Sequence, residues 1–312
     1  MSLVRNIEEN DCLEISKRIE IDDIKGLQLE KRSNIKDIGV YGIKYHLKRF
    51  AGIDPNIVLN KCTIEHGLGL MKYVCQMEVQ HHVSRILTYS PYREDVIREL
   101  TEFTPIAIGP YIAYAEDYRT KAVTQEKKNM LGRTLLVMPA HSMIGMEATY
   151  SLELFFREIE LVKTKFDTVL VCLYIEDLKR GLWKPYKEKG FGVVSAGQTY
   201  SPHFFSRLKY ILSLSDALLL NEYSTGMSYA MYMGRPIHLV RGDIEYNTTI
   251  RNNGFELEEI KNDAEVYKLF DNEQFMITDE QIRFGEYMFG LKSVKSKEEM
   301  KSLLLSLART TG

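Results

Sequence analysis

Long apolar runs are missing from this sequence: no segment approaches the ~20 consecutive apolar residues that a membrane-spanning helix requires. Its opening, "MSLVRNIEEN", has no apolar core of the kind a secretion signal carries. Cysteine is scarce and unpaired. Cys12, Cys62, Cys75 and Cys172 are scattered without any C-x-x-C pair, which fits reduced thiols rather than a disulfide frame or zinc site. Charge of one sign is also lacking: 41 Lys and Arg stand against 43 Asp and Glu, a net charge of -2 with no footprint for nucleic acid. Internal repeats and low-complexity tracts are absent. So are the P-loop, G-x-G-x-x-G, H-E-x-x-H and G-x-S-x-G signatures, and no D-x-D stands at a strand end. These absences point to chemistry without a bound metal.

What is present is the composition of a globular protein, 45% hydrophobic and 27% charged, over 312 residues, a length that favours two domains. From Leu135 onward, apolar strands alternate with helical segments. "LLVMP", "TVLVCLY", "GVVSA", "ALLL" and "PIHLV" are continuous apolar runs, as a parallel sheet covered on both faces requires. Between them, "GMEATYSLELFFREIELVKTKF" and "HFFSRLKYILSLS" have helical spacing, and "DLKRGLWKPYKEKG" reads as a polar helical connection broken near Pro185. The pattern predicts right-handed βαβ units in a doubly wound sheet.

Earlier in the chain, "RILTYS", "PYREDVIRELTEF" and "PIAIGPY" make one strand–helix–strand unit, with Pro91 in the first helical turn. "CTIEHGLGL" reads as a strand running into a glycine-containing loop. The polar, lysine-rich stretch 117–132 lacks an apolar stripe and reads as a linker between two α/β domains. The expected division is residues 1–120, residues 133–280 and C-terminal helices over 281–312. In the last of these, Ser296 is placed to cap a helix, with Glu299 three residues on.

Three polar loops follow strands, where doubly wound sheets bind ligands. They are Glu65–Gly69, Pro139–Met146 and Asn221–Met227. In the third, Ser224 or Thr225 is placed to cap a helix, and Gly226 lets backbone approach a bound group. A Ser-Thr pair there also serves simply as an N-cap. "PAHSMIG" repeats the arrangement of strand, polar loop, small residues and helix, so two such loops together suit a diphosphate. His66 and His141 sit at strand ends beside small residues. Glu65 and Glu222 flank loops, where each can bind hydroxyls or merely solvate the rim.

The motifs "TIEHGLG", "ILTYSPYRED", "IAIGPYIAYAED", "LLVMPAHS", "VLVCLYIEDLKRG", "YKEKGFGVVSAG" and "FFSRLKYILSLSDALLLNEYSTGMSYAMYMGRPIHL" occur in this order. Together they resemble bacterial capsule and surface-polysaccharide biosynthesis proteins of the GT-B glycosyltransferase type, over roughly residues 60–245. The resemblance implies two Rossmann-like domains, each with a doubly wound parallel sheet, facing across a cleft. It implies a nucleotide-sugar donor held mainly by the second domain and metal-independent transfer to a saccharide or lipid-linked acceptor. By the resemblance, His141 and Ser142 face the donor phosphate or nucleotide, and Ser224, Thr225 and Gly226 hold the phosphates. Asn221 or Glu222 lies near ribose or sugar, and His66, with Glu65 beside it, is the candidate catalytic base. The final helices pack back on the first domain.

The expected setting is cytoplasmic or peripheral to the inner face of a membrane, with no cofactor beyond the donor, no nucleic acid and no integral membrane segment. Two alternatives stand beside this reading. One is a nucleotide-sugar 2-epimerase, for which Glu65, Glu147 and Glu222 are the acidic groups on offer. The other is a non-catalytic nucleotide-sugar-binding or scaffold subunit, suggested by a first domain short for a GT-B half.

Overall fold

A computed structural model describes residues 37–67, 72–74, 83–142, 145–248 and 264–308. The fold is α/β with two parallel sheets. The first has three strands in chain order, β1 (Cys62–Ile64), β2 (Arg85–Thr88) and β3 (Thr104–Ala107). Between β2 and β3 runs the helix Pro91–Leu100. Pro91 stands in its first turn, where a missing N–H costs nothing, and the Ser90 hydroxyl accepts the Arg93 N–H.

The second sheet has five parallel strands: β4 (Thr134–Met138), β6 (Thr168–Cys172), β7 (Gly192–Val194), β8 (Ala217–Leu220) and β9 (Ile237–Leu239). Their spatial order is β7-β6-β4-β8-β9. Alternate residues serve opposite faces. Leu135, Val137 and Leu219 join the helices Leu152–Lys163, Ile175–Lys179 and Lys184–Glu188 in one apolar cluster. Leu136, Leu218 and Leu220 join the helices Phe204–Leu214 and Thr225–Tyr232 in another. Burial on both faces is why these strands read as unbroken apolar runs.

That second cluster does not stop at the five-stranded sheet. It continues through Leu87, Ile108 and Tyr111 of the first unit and Met300, Leu304 and Leu307 near the C-terminus. One apolar core therefore joins both sheets. The C-terminal helices Asp279–Met288 and Lys297–Leu307 lie against the helices of the three-stranded unit, Pro91–Leu100 and Ile43–Ala51 respectively. The last is closed by the Ser296–Glu299 capping box. At Gly290 (φ +68°) the chain passes so close to Tyr89 that an added Cβ would stand 1.9 Å from its carbonyl oxygen.

Three local expectations change. Residues 145–149 are not helical: β5 (Met146–Thr149) pairs antiparallel with β10 (Glu245–Thr248), and the helix starts only at Leu152, capped by Ser151. Met146 and Ala148 are buried while Glu147 and Thr149 are exposed, the period of two that a strand needs. The stretch 117–132 contains a helix, Lys121–Leu131, capped by Thr120 and burying only Leu131. The break in 177–190 comes at Gly181 (φ +78°), and Pro185 instead opens the second short helix. Among the described residues, no helix is long and apolar enough to cross a membrane.

Candidate functional site at the strand-order reversal

In chain order, the strands of the larger sheet lie third-second-first-fourth-fifth, so the order reverses between β4 and β8. Neighbouring connections there leave on opposite faces, and the carboxyl ends part to form a crevice. The loops at this crevice are those beginning Pro139 and Asn221, and one hydrogen bond joins them. The Ala140 N–H donates to Asn221 Oδ1 at 2.7 Å. That bond fixes which way the Asn221 amide points, because a flipped amide would set two N–H groups face to face. Its Nδ2 is left buried, with no acceptor among the described residues.

Ser224 occupies the N-cap of the helix Thr225–Tyr232 with extended backbone (φ −149°), yet its hydroxyl makes no capping bond. The simple capping role therefore does not account for this side chain. Thr225 is half-buried in the first turn. Gly226 is buried, and an added Cβ would stand 3.1 Å from Met138 Cε at the end of β4. Its missing side chain lets the helix close on the strand, a packing role where the sequence suggested a ligand-facing one. Glu222 is half-buried and accepts the hydroxyl proton of Tyr246 on β10. Burial first, and then the Glu222 charge, raise the pKa of that phenol.

The loop after β4 differs from its expected form, because it runs into β5 and not into a helix. His141 is half-buried, with its ring 5.0 Å from that of Tyr174 and its Nδ1 3.2 Å from the Ser142 carbonyl oxygen. Ser142 is fully buried. Its N–H points at both oxygens of Asp177, 3.2 and 3.3 Å away, and its hydroxyl accepts from Ala148 N–H and Arg180 Nη1 at 3.2 and 3.1 Å. With these partners, and with no exposed surface, Ser142 latches the loop. Asp177 is buried as well. Burial raises its carboxyl pKa, opposed by the Ser142 hydrogen bonds and then by the charges of His141 and Arg180. Asp177 and Arg180 were missed by sequence reasoning, although their i,i+3 spacing in "DLKR" places both on one side of a helical turn.

On the first sheet, Glu65 and His66 directly follow β1. Glu65 is 1% exposed and bonded to the fully buried guanidinium of Arg93, with Arg93 Nε donating at 2.9 Å. The Thr88 hydroxyl also donates to it. A carboxylate committed in this way is not a catalytic base, so Glu65 is a structural anion. His66 is half-buried beside it, and Leu68–Gly69 of that loop lie outside the described residues. The carboxyl edge of this sheet reaches the second unit through Tyr89, one residue beyond β2, whose hydroxyl stands 3.3 Å from that of Tyr229. Tyr229 belongs to the helix that Ser224 opens.

Among the described residues, no group of three or more His, Cys, Asp or Glu is placed to hold a metal ion. Two surface cavities lie away from the crevice. One of about 680 Å³ is lined by Arg98–Phe103 with Tyr73 and Val74, just before β3. The other, about 550 Å³, lies on the helix Leu152–Lys163 around Phe156 and Leu161. Compared with known proteins, the chain matches no protein-family model and no curated protein sequence.

Proposed function

We propose that this protein is a glycosyltransferase-like enzyme of capsular or cell-surface polysaccharide assembly. It binds a nucleotide-activated sugar at the β4–β8 crevice and transfers the glycosyl group without a metal ion. The observation that carries this reading is the Ser224 hydroxyl, which makes no capping bond at the start of a helix in the strand-reversal crevice, close to an Asn221 Nδ2 that has no acceptor among the described residues. Helix N–H groups and the positive end of the helix dipole suit a diphosphate, and a hydroxyl not spent on capping adds a donor. In this reading the two sheets are two Rossmann-like units of a GT-B arrangement, and 281–312 completes the first.

Transfer breaks the bond between the anomeric carbon and the phosphate oxygen, and the diphosphate or phosphate of the nucleotide leaves with both electrons. The first turn of the helix Thr225–Tyr232 stabilises the charge that develops there. The acceptor hydroxyl, on a saccharide or a lipid-linked saccharide, forms the new bond and gives its proton to the His66 imidazole. Of the two expected catalytic groups only His66 keeps that role, because Glu65 is held by Arg93. Such donors are cytosolic metabolites, which places the activity in the cytoplasm or at the inner face of the membrane.

A second reading, a non-catalytic nucleotide-sugar-binding subunit, draws on the continuous apolar core where an open acceptor cleft would otherwise separate the units. The epimerase alternative gains no such support: Glu65 is paired with Arg93, Glu147 with Arg180, and Glu222 accepts from Tyr246. Calorimetric titration with UDP-N-acetylglucosamine, GDP-mannose and CMP-N-acetylneuraminic acid tests the donor site. Binding of at least one is expected, and binding of none by folded protein overturns the proposal. His66→Ala then separates the two readings. It abolishes turnover with affinity unchanged in an enzyme, whereas the binding subunit shows no turnover in either form.

A further inference from the structure

The helix Leu152–Lys163 covers one face of the larger sheet with Phe155, Ile159 and Val162, all buried. Leu154, Arg157, Glu158 and Leu161 follow the spacing i, i+3, i+4 and i+7, so they form a second stripe that the sheet does not use. Leu154 is 48% exposed and Leu161 63%. Single exposed leucines are ordinary on a protein surface, but two of them two helical turns apart on one stripe make an apolar face. The helix Asp279–Met288 also exposes two apolar side chains, Ile282 and Tyr287, yet a spacing of five sets them on different sides.

The surface beside the stripe suits an apolar side chain. The cavity of about 550 Å³ along this helix is lined by Phe156 and Leu161 together with Arg157 and Lys189, and the Lys189 ammonium stands 5.3 Å from the Phe156 ring centroid. Charges on and beside the helix balance: Glu153, Glu158 and Glu160 stand against Arg157, Lys163 and Lys189. A balanced face does not repel a copy of itself, and a chain net charge of -2 leaves little repulsion between whole molecules.

The order of the residues decides what fits. Read end for end, Leu-x-x-Arg-Glu-x-x-Leu sets leucine against leucine and arginine against glutamate. A two-fold axis between Arg157 and Glu158 therefore brings Leu154 to the second copy's Leu161 and Arg157 to the second copy's Glu158, each contact made twice. Arg157 already bonds Glu153 at 2.8 Å within the helix, but both groups are largely exposed and a guanidinium has donors for two carboxylates. Another protein would have to carry this pattern in reverse, whereas a copy of the chain carries it already. We propose that this stripe is the surface through which two copies of the protein pair, with their helices Leu152–Lys163 antiparallel. One helix from each copy buries less than a standard interface, so the association is weak, in the micromolar range. The pairing does not depend on the proposed function, and the two fail separately.

Sedimentation velocity of the full chain from about 1 to about 200 µM reads the pairing as a mass rising toward twice that of the monomer. Arg157→Glu alone and Glu158→Arg alone each bring like charges together on both sides of the axis, and each is expected to weaken pairing at least tenfold. The double variant Arg157→Glu/Glu158→Arg restores it. So does an equimolar mixture of the two single variants, in which every contact across the axis joins opposite charges. Leu161→Glu, at an exposed position, is expected to abolish pairing while the melting temperature stays that of the wild-type monomer. A wild type that remains monomeric through the whole range overturns the proposal, whatever else covers the stripe. A dimer that survives Leu161→Glu or both single charge reversals is joined by another surface and overturns it equally, as does failure of the double variant and the mixture to restore pairing.

Discussion

Glu65→Gln isolates the value of a buried charge in this fold. The side chains of Glu65 and Arg93 are 1% and 0% exposed, and their contact is an ion pair reinforced by the Thr88 hydroxyl. Glutamine has the same shape and keeps an acceptor for Arg93, and the Thr88 hydroxyl can turn to accept from its amide. Hydrogen bonds are thus largely retained and the charge alone is lost. What remains is a buried guanidinium that has lost the Glu65 charge, with a neutral amide in its place and the Tyr73 carbonyl oxygen at 3.0 Å among its acceptors. Removing one partner of such a pair costs about 3–5 kcal/mol. Against a typical stability of about 5–15 kcal/mol, that is about a fifth or more of the total.

Urea unfolding followed by circular dichroism reads the cost as a lowered midpoint. The double variant Glu65→Gln/Arg93→Met removes the buried positive charge as well and is expected to recover much of the loss, a non-additivity of about 1 kcal/mol or more. Affinity for nucleotide-sugars, measured on the folded fraction, is expected to stay unchanged, since Glu65 is a structural anion here. A loss below about 1 kcal/mol for Glu65→Gln, or strict additivity in the cycle, refutes the account of a dry, mutually dependent pair.

Gly290→Ala is expected to destabilise by more than about 3 kcal/mol, because its Cβ meets the Tyr89 carbonyl at 1.9 Å in a left-handed backbone. Gly234→Ala, at φ +69° but with nothing within 4 Å, controls for backbone strain alone and is expected to cost about 1 kcal/mol; equal melting temperatures for the two refute the close approach. Stability is also expected to fall with acidification through His46, whose pKa is lowered to about 3 by burial, with smaller contributions from the charges of His203 and Lys209. The unfolded chain takes up a proton below pH ~6.5 while the folded chain does not, so each pH unit from there down to about 3 costs about 1.4 kcal/mol. His46→Phe, which keeps an aromatic ring beside Tyr45 and Phe205, flattens that slope; an unchanged slope assigns the acid sensitivity elsewhere.

The larger sheet was legible because its strands are buried on both faces and punctuated by helices, a pattern that local sequence carries in full. The same holds for Pro91 and for the Ser296–Glu299 box, whose partners lie within one helical turn. What escaped depends on distant partners. β5 is four residues long and runs straight into a true helix, so its spacing read as helical. It is a strand only because Glu245–Thr248, about a hundred residues later, pairs with it. Glu65 looked like a rim carboxylate because nothing nearby announces Arg93, 28 residues on and buried on a helix. Ser142 looked available because its partners, Asp177 and Arg180, lie on the far side of β6.

The same dependence on distant partners governs the crevice. A helix start preceded by Ser-Thr-Gly is common, and by itself its N–H groups are satisfied by water or by the cap. Here the Asn221 amide is oriented by Ala140 from β4, roofed by Gly242 after β9, and followed by a Glu222 held by Tyr246 of β10. Three separate strand connections must be in place before the donor on Asn221 is both oriented and unpartnered. Local sequence cannot prepare such a group, since any one of those connections alone would leave the amide free to turn toward solvent. A buried donor held in one orientation without an acceptor is costly to the folded protein. That cost distinguishes this helix start from an ordinary capped one, and it is set by residues that lie far from the loop in sequence.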